Sequence, residues 1–226
     1  MEPLLTFPEA RVLGCLLEKE ATTPDYYPLT LAAVITACNQ TTNREPVVAF
    51  TETEVDEAIA GLRRKKLAAM VHLAGSRAPK YKHLADDYFP GLHGPERALL
   101  TVLLLRGTQS VAELRTRTER LHPFPDPESV EASLQRLIEW QEGPLVDFLP
   151  PGSHRRTATY APRLYPEPTT QSPAAATHGT HPPAAPPIPV ADWRTSIENE
   201  IASLHARLAS LESALGVAPP NSDSQS

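Results

Sequence analysis

Residues 8–17, PEARVLGCLL, and residues 95–104, PERALLTVLL, read as two versions of one helix. Pro8/Pro95, Glu9/Glu96, Leu13/Leu100, Leu16/Leu103 and Leu17/Leu104 match at an offset of 87. Pro and Glu open both segments, as suits a first helical turn whose N–H groups lack partners. The apolar residues then recur at helical spacing, giving one buried face. A repeat of this kind sets the architecture, so the rest of the chain is read outward from it.

A second match follows at an offset of 75: Val55, Ile59 and Leu62 against Val130, Leu134 and Leu137. Steps of four and three place each triplet on one helix face. Thr51 with Glu54 makes a capping box for the first of these helices, and Asp126 with Pro127 an N-cap and N1 pair for the second. Leu29–Cys38 reads as the helix between, and Ser110–Arg120 as its counterpart with Ser110 as N-cap. A strand, a loop and a strand follow each third helix. They are Ala68–Leu73, 74–79 and Lys80–Leu84, then Leu145–Leu149, 150–156 and Thr157–Ala161. Tyr81 and Tyr160 lie 79 apart, so the second loop is longer by about four residues.

Three helices and a hairpin are the order of a winged helix, a helix-turn-helix variant. The expected fold is mainly α with small β-hairpins (α+β), as two tandem winged-helix domains over residues 4–88 and 92–165. The fall in offset from 87 to 75 gives the first copy twelve extra residues, including PDYYP (24–28) and NQTTNREP (39–46).

Proline is abundant, 25 against 10 glycines, and concentrates near the C-terminus. Residues 166–191, rich in Pro, Ala, Thr and His, have too little apolar content to offset the entropy of ordering and read as a disordered linker. Beyond it Ile197, Ile201, Leu204, Leu208, Leu211 and Leu215 alternate steps of four and three, an a/d seam on a short helix over 193–215. A homodimer through this helix would set Arg207 against Glu212 of the second copy. The competing reading is an amphipathic helix that packs back on its own chain.

Net charge is -6 over 226 residues, unevenly placed. Residues 1–165 hold 19 Lys+Arg and 21 Asp+Glu, whereas the last 61 residues hold 2 and 6. The folded part is nearly neutral, so a nucleic-acid partner requires its cations to share a face. Cys15 and Cys38 sit in apolar helical patterns and read as buried free thiols of a reducing compartment. No CxxC or Cys/His spacing marks a metal site, and His178 and His181 lack companion ligands. No apolar run approaches the roughly 20 residues of a membrane helix, and residues 1–9 lack the order of a signal peptide. The expected location is cytoplasmic, with no membrane association and no cofactor. A P-loop and a GxGxxG are both missing, so the reading is not an enzyme.

Long stretches carry a resemblance. PLTLAAVITACNQTTNREPVV (28–48), GLRRKKL (61–67), GSRAPKYKH (75–83) and LLLRGTQSVAELRTRTERLHPFPD (103–126) resemble the YceH family of bacterial proteins. The resemblance covers about residues 4–165 and the short C-terminal coil. It implies a tandem winged-helix fold and a bacterial cytoplasmic origin, and it implies no activity and no catalytic residues.

Candidate contacts to double-stranded DNA begin with Arg63, Arg64, Lys65 and Lys66, which close the third helix of copy one. Arg77 stands at the wing tip, and Lys80 and Lys82 on the returning strand. Together these are seven cations within twenty residues. In winged helices the third helix enters the major groove while the wing reaches backbone or minor groove. Lys and Arg also settle at helix C-termini for the macrodipole alone. Arg44 follows the polar turn Asn39–Asn43 and offers a guanine or phosphate contact, while the amides suit backbone groups of the turn. In copy two Arg155 and Arg156 occupy the wing, and Arg115, Arg117 and Arg120 spread around the second helix.

One pattern opposes groove reading. The first copy's third helix starts with Glu52, Glu54, Asp56 and Glu57, and the second copy's with Asp126, Glu128 and Glu131, where carboxylates would repel phosphate. Two functions stay open: a DNA-binding, transcription-associated protein, and a protein-interaction module using the acidic helix faces and the C-terminal coil.

Overall fold

A computed structural model describes residues 4–72, 78–152 and 156–166. The helix α1, Phe7–Thr22, starts at Thr6, whose side chain accepts from Glu9 N–H while the Glu9 carboxylate accepts from Thr6 N–H. This capping box satisfies two of the donors that a helix start leaves open. A 3-10 turn at Pro24–Tyr26 leads to β1, Leu29–Thr30, then α2, Leu31–Cys38, and α3, Glu52–Arg64. The strands β2, Ala68–Val71, and β3, Lys80–His83, form a hairpin, followed by a single turn α4, Ala85–Tyr88. The order then repeats as α5, Gly94–Arg106, α6, Val111–Thr118, α7, Pro127–Ile138, β4, Val146–Leu149, and β5, Thr159–Pro162. The fold is α+β, with several helices and two small antiparallel sheets.

The repeated helices occupy equivalent roles. α1 is buried continuously from Glu9 to Leu17, and α5 from Ala98 to Leu105. A helix covered all round belongs at the centre of a core, and these two pack directly on each other. An ideal Cβ at Gly14 would come within 2.9 Å of Leu105 Cδ2 and 3.1 Å of Leu104 Cβ, so glycine permits this close approach. By contrast, α3 and α7 bury one stripe each, the Val55–Ile59–Leu62 and Val130–Leu134–Leu137 faces. Their caps are those the sequence predicts: Thr51 with Glu54, and Asp126 accepting from Ser129 N–H at 2.7 Å. All described residues fall within one compact unit whose core is continuous. The expected helix over 193–215 and its a/d seam lie outside the described residues, as does the linker beyond Pro166.

The second helix starts later than expected. Thr30 caps α2 by accepting from Ala33 N–H at 3.3 Å, which leaves Leu29 and Thr30 extended. They pair with Tyr81 and Lys80, so the first sheet has three strands in the order β1-β3-β2. The second half repeats the device in miniature: Gln109 exchanges two backbone bonds with Tyr160, of 2.9 and 2.7 Å, and Ser110 caps α6. Helix-period reading missed β1 because apolar Leu29 continues the α2 pattern in sequence.

The polar turn after α2 is internal structure. The Asn39 amide donates to Phe50 C=O and accepts from Phe50 N–H, both at 2.8 Å, spanning the loop to α3. Glu45 N–H donates to Leu105 C=O at 2.9 Å, tying the loop to α5. Cys15 and Cys38 are free and buried, as expected. Beside them lies Arg11, fully buried, with Nη1 on Cys38 C=O, Nη2 on Pro46 C=O and its guanidinium over the Phe7 ring.

Candidate nucleic-acid interface

The cations at the end of α3 are held by the way the helix stops. Lys66 N–H donates to Arg63 C=O and Leu67 N–H to Leu62 C=O, at 3.1 and 2.9 Å. This paired reversal needs a left-handed residue at its corner, and Lys66 supplies it with φ 60°. Arg63, Arg64 and Lys66 are exposed, and Arg63 and Arg64 line an open hollow with Ala60. The chain then enters β2 within two residues. In β3 the burial alternates, with Tyr81 and His83 turned inward and Lys80 and Lys82 on the opposite, half-exposed face. Among the described residues, none of Arg63, Arg64, Lys66, Lys80 and Lys82 forms an ion pair.

Other expected contacts are placed differently. Lys65 turns back to α1 and pairs with Glu9. Glu9 thus serves the α1 cap and the α1–α3 junction at once, beside Gly61, where an added Cβ would collide with its carboxylate. A sequence reading takes Glu9 only as a first-turn acid. Arg44 is corrected outright as a surface contact. It is 4% exposed, with Nε on Ala37 C=O at 2.9 Å, Nη1 on Glu18 Oε1 and Asn43 C=O, and Nη2 on Glu18 Oε2 and Gln40 Oε1. A guanidinium so saturated has no donor left for a base or phosphate. Burial opposes ionisation of Glu18, yet the hydrogen bonds and charge of Arg44 hold its carboxyl below the usual glutamate range. In α6, Arg115 braces the following loop through Phe124 C=O and Pro125 C=O. Arg156 is exposed, while Arg77 and Arg155 lie outside the described residues.

The acidic start of α3 is solvent-facing throughout: Glu52, Glu54, Asp56 and Glu57 are all exposed. Glu54 is committed to the cap, and hydrogen bonds from the Thr51 backbone and side chain lower its pKa. The helix therefore carries negative charge at its start and positive charge at its end, the orientation the macrodipole favours. Among the described residues no cluster of His, Cys, Asp or Glu could hold a metal ion. No described helix is long and apolar enough to cross a membrane.

Comparison with known proteins gives a consistent answer. Residues 5–154 match the family described as "Protein of unknown function, DUF480". A UPF0502 protein of Pelobacter propionicus is 52% identical over 161 residues, 71% of this chain and 72% of the relative. A UPF0502 protein of Geobacter sulfurreducens is 44% identical over 212 residues, covering 93% and 91%. One from Shewanella oneidensis is 40% identical over 214 residues, covering 93% and 96%. Membership is consistent with a non-enzymatic role. The chain belongs to the UPF0502/DUF480 family of bacterial proteins.

Proposed function

We propose that each helix–helix–helix–hairpin half is a winged helix, of the kind expected for YceH-like proteins, and that the chain binds double-stranded DNA without catalysing a reaction. The first half makes the contact, through Arg63, Arg64 and Lys66 at the end of α3 and Lys80 and Lys82 on β3. The single observation that carries this reading is the exposure of Arg63, Arg64 and Lys66 beside half-exposed Lys80 and Lys82, with none of the five in an ion pair among the described residues. A lysine at the left-handed corner adds support, because glycine would hold that conformation with less strain. Arg156, with Arg77 and Arg155, belongs to the same reading as hairpin contacts to the backbone. The acidic start of α3 points away from phosphate in this arrangement, so the helix is met by its last turn and not by its first.

Duplex DNA titrated at two salt concentrations tests the reading. About four neutralised phosphates give a log–log salt slope near -4. Replacing Arg63, Arg64 and Lys66 together by Gln should flatten the slope by about three contacts' worth. Absence of binding, or binding indifferent to salt, overturns it. Residues 197–215 enter this proposal as a homodimer seam at Ile197, Ile201, Leu204, Leu208, Leu211 and Leu215, tested by molar mass after their removal. A protein partner for the exposed acids of α3 is the second reading, favoured by their lack of ion pairs among the described residues. Charge reversal at Glu52 and Asp56 that leaves every captured partner unchanged argues against it.

A further inference from the structure

We propose that the cleft bounded by α1, α5 and α6 is a binding site for a small phosphate-class oxyanion, held by Arg106, Arg117 and Arg120. The inference does not depend on DNA binding. Arg106 ends α5, while Arg117 and Arg120 stand at the end of α6 and just beyond it. All three line one cleft of about 60 Å3, with Glu18, Thr22 and Asn43. The cleft is small and suits one tetrahedral oxyanion. Any larger phosphate ester would have to project out of it.

The decisive feature is a surplus of cations: Arg106, Arg117 and Arg120 line the cleft, and Glu18 is the carboxylate that lines it with them. Three guanidiniums gathered in one cleft call for an anionic acceptor. The protein's own carboxylates do not fill the role. Glu18 has both oxygens on Arg44. Glu113 accepts from Ser110 N–H and Oγ–H through one oxygen, and its other oxygen meets Arg117 Nη2 only at 3.5 Å. Arg106 donates Nη2 to Asn43 Oδ1 at 2.6 Å. Partial burial and the neighbouring Arg117 charge lower the Arg106 pKa. The macrodipole accounts for an arginine at each helix end. It does not account for two helix ends converging on one cleft. Guanidinium forks match tetrahedral oxyanions bidentately, which is the geometry such a cleft offers.

The test is calorimetric titration of the full chain with inorganic phosphate at ionic strength fixed by sodium chloride. The expected result is saturable binding with Kd of about 1 mM or tighter. Arg117→Gln and Arg106→Gln should each weaken it by about tenfold. Arg163→Gln, beyond the second hairpin and paired with Asp147, should leave it unchanged. Arg120→Gln, exposed and without an ion pair among the described residues, serves where Arg117→Gln does not fold, with a loss of at least about threefold expected. No saturation by about 10 mM phosphate, or equal binding in wild type and all three cleft variants, overturns the proposal. Failure of free phosphate combined with a loss of DNA affinity in Arg117→Gln also overturns it, and assigns the cleft to a nucleic-acid backbone. Loss of DNA binding with phosphate binding intact bears only on the DNA reading.

Discussion

Arg44 and Glu18 meet face to face inside the protein, Nη1 to Oε1 at 3.0 Å and Nη2 to Oε2 at 2.6 Å. The Arg44 side chain is inaccessible, and the Glu18 side chain only slightly exposed. Removing one partner of such a pair strands the other, at a cost of about 3 kcal/mol. Arg44→Met should lower unfolding stability by that order in urea titration, since the carbonyls of Ala37 and Asn43 also lose their donor. The folded fraction should bind DNA as before. A loss of affinity without loss of stability would return Arg44 to the surface role expected from its sequence position.

The same pair sets a pH dependence. Glu18 has its folded pKa below the unfolded value, about 4.3 for glutamate, because the Arg44 interactions outweigh burial. A depressed acid contributes stability above its unfolded pKa and loses it as pH falls through the folded one. Melting temperatures from pH 6 down to pH 3 should therefore fall more steeply below about pH 4 in wild type than in Glu18→Gln. Parallel curves would show that the pair contributes little.

Most of the helical framework was legible because its signals are local. The Thr51–Glu54 and Asp126–Pro127 starts, and the stripes of Val55 and Val130, follow from spacing and capping alone. What was illegible depends on contacts far apart in sequence. Leu29 looks helical until Tyr81 comes beside it. Arg44 looks like a reading residue until Glu18, 26 positions earlier, takes its guanidinium. Lys65 and Lys66 are adjacent and equally basic, yet one pairs with Glu9 while the other stands exposed at a left-handed corner. The convergence of Arg106 with Arg117 needs the α5–α6 corner, which no single-helix pattern encodes.

Gly14 offers a test of the central junction. Its Cα faces Leu104 and Leu105 of α5 too closely for a side chain. Alanine gains up to about 1 kcal/mol of helix propensity, against about 1–3 kcal/mol for overpacking a filled core. Gly14→Ala should thus destabilise modestly, and Gly14→Leu by several kcal/mol or to the point of no cooperative unfolding. Calorimetry of the two variants checks the order. A stabilised Gly14→Ala would mean the α1–α5 contact relaxes freely.

The exposed acids of α3 separate capping from electrostatics. Glu54 closes the helix start, whereas Glu52, Asp56 and Glu57 make no ion pair among the described residues. Neutralising those three as Gln, Asn and Gln should change stability by no more than about 1 kcal/mol, the scale of exposed dipole interactions. If the first half sits on DNA, long-range repulsion falls and affinity rises, more at low salt than at high. Thr51→Ala should instead cost about 1 kcal/mol through the lost cap, with DNA affinity unmoved. Equal affinity effects from both changes would contradict the proposed approach by the last turn.

Lys66 is the position where stability and function pull in opposite directions. Its φ of 60° lies in the left-handed region, and both backbone bonds of the helix reversal depend on it. Glycine reaches this conformation without steric cost, so Lys66→Gly should raise stability by about 0.5–1 kcal/mol. The same change deletes an exposed cation from the end of α3. On the DNA reading it should weaken binding and reduce the salt slope by about one phosphate. Lys66→Asn tolerates the left-handed backbone nearly as well, and should reproduce the loss of binding with a smaller gain in stability. A stabilised Lys66→Gly protein that binds DNA as tightly as wild type would show that the lysine is not kept for phosphate. Its place at the corner would then have no account in the proposed interface.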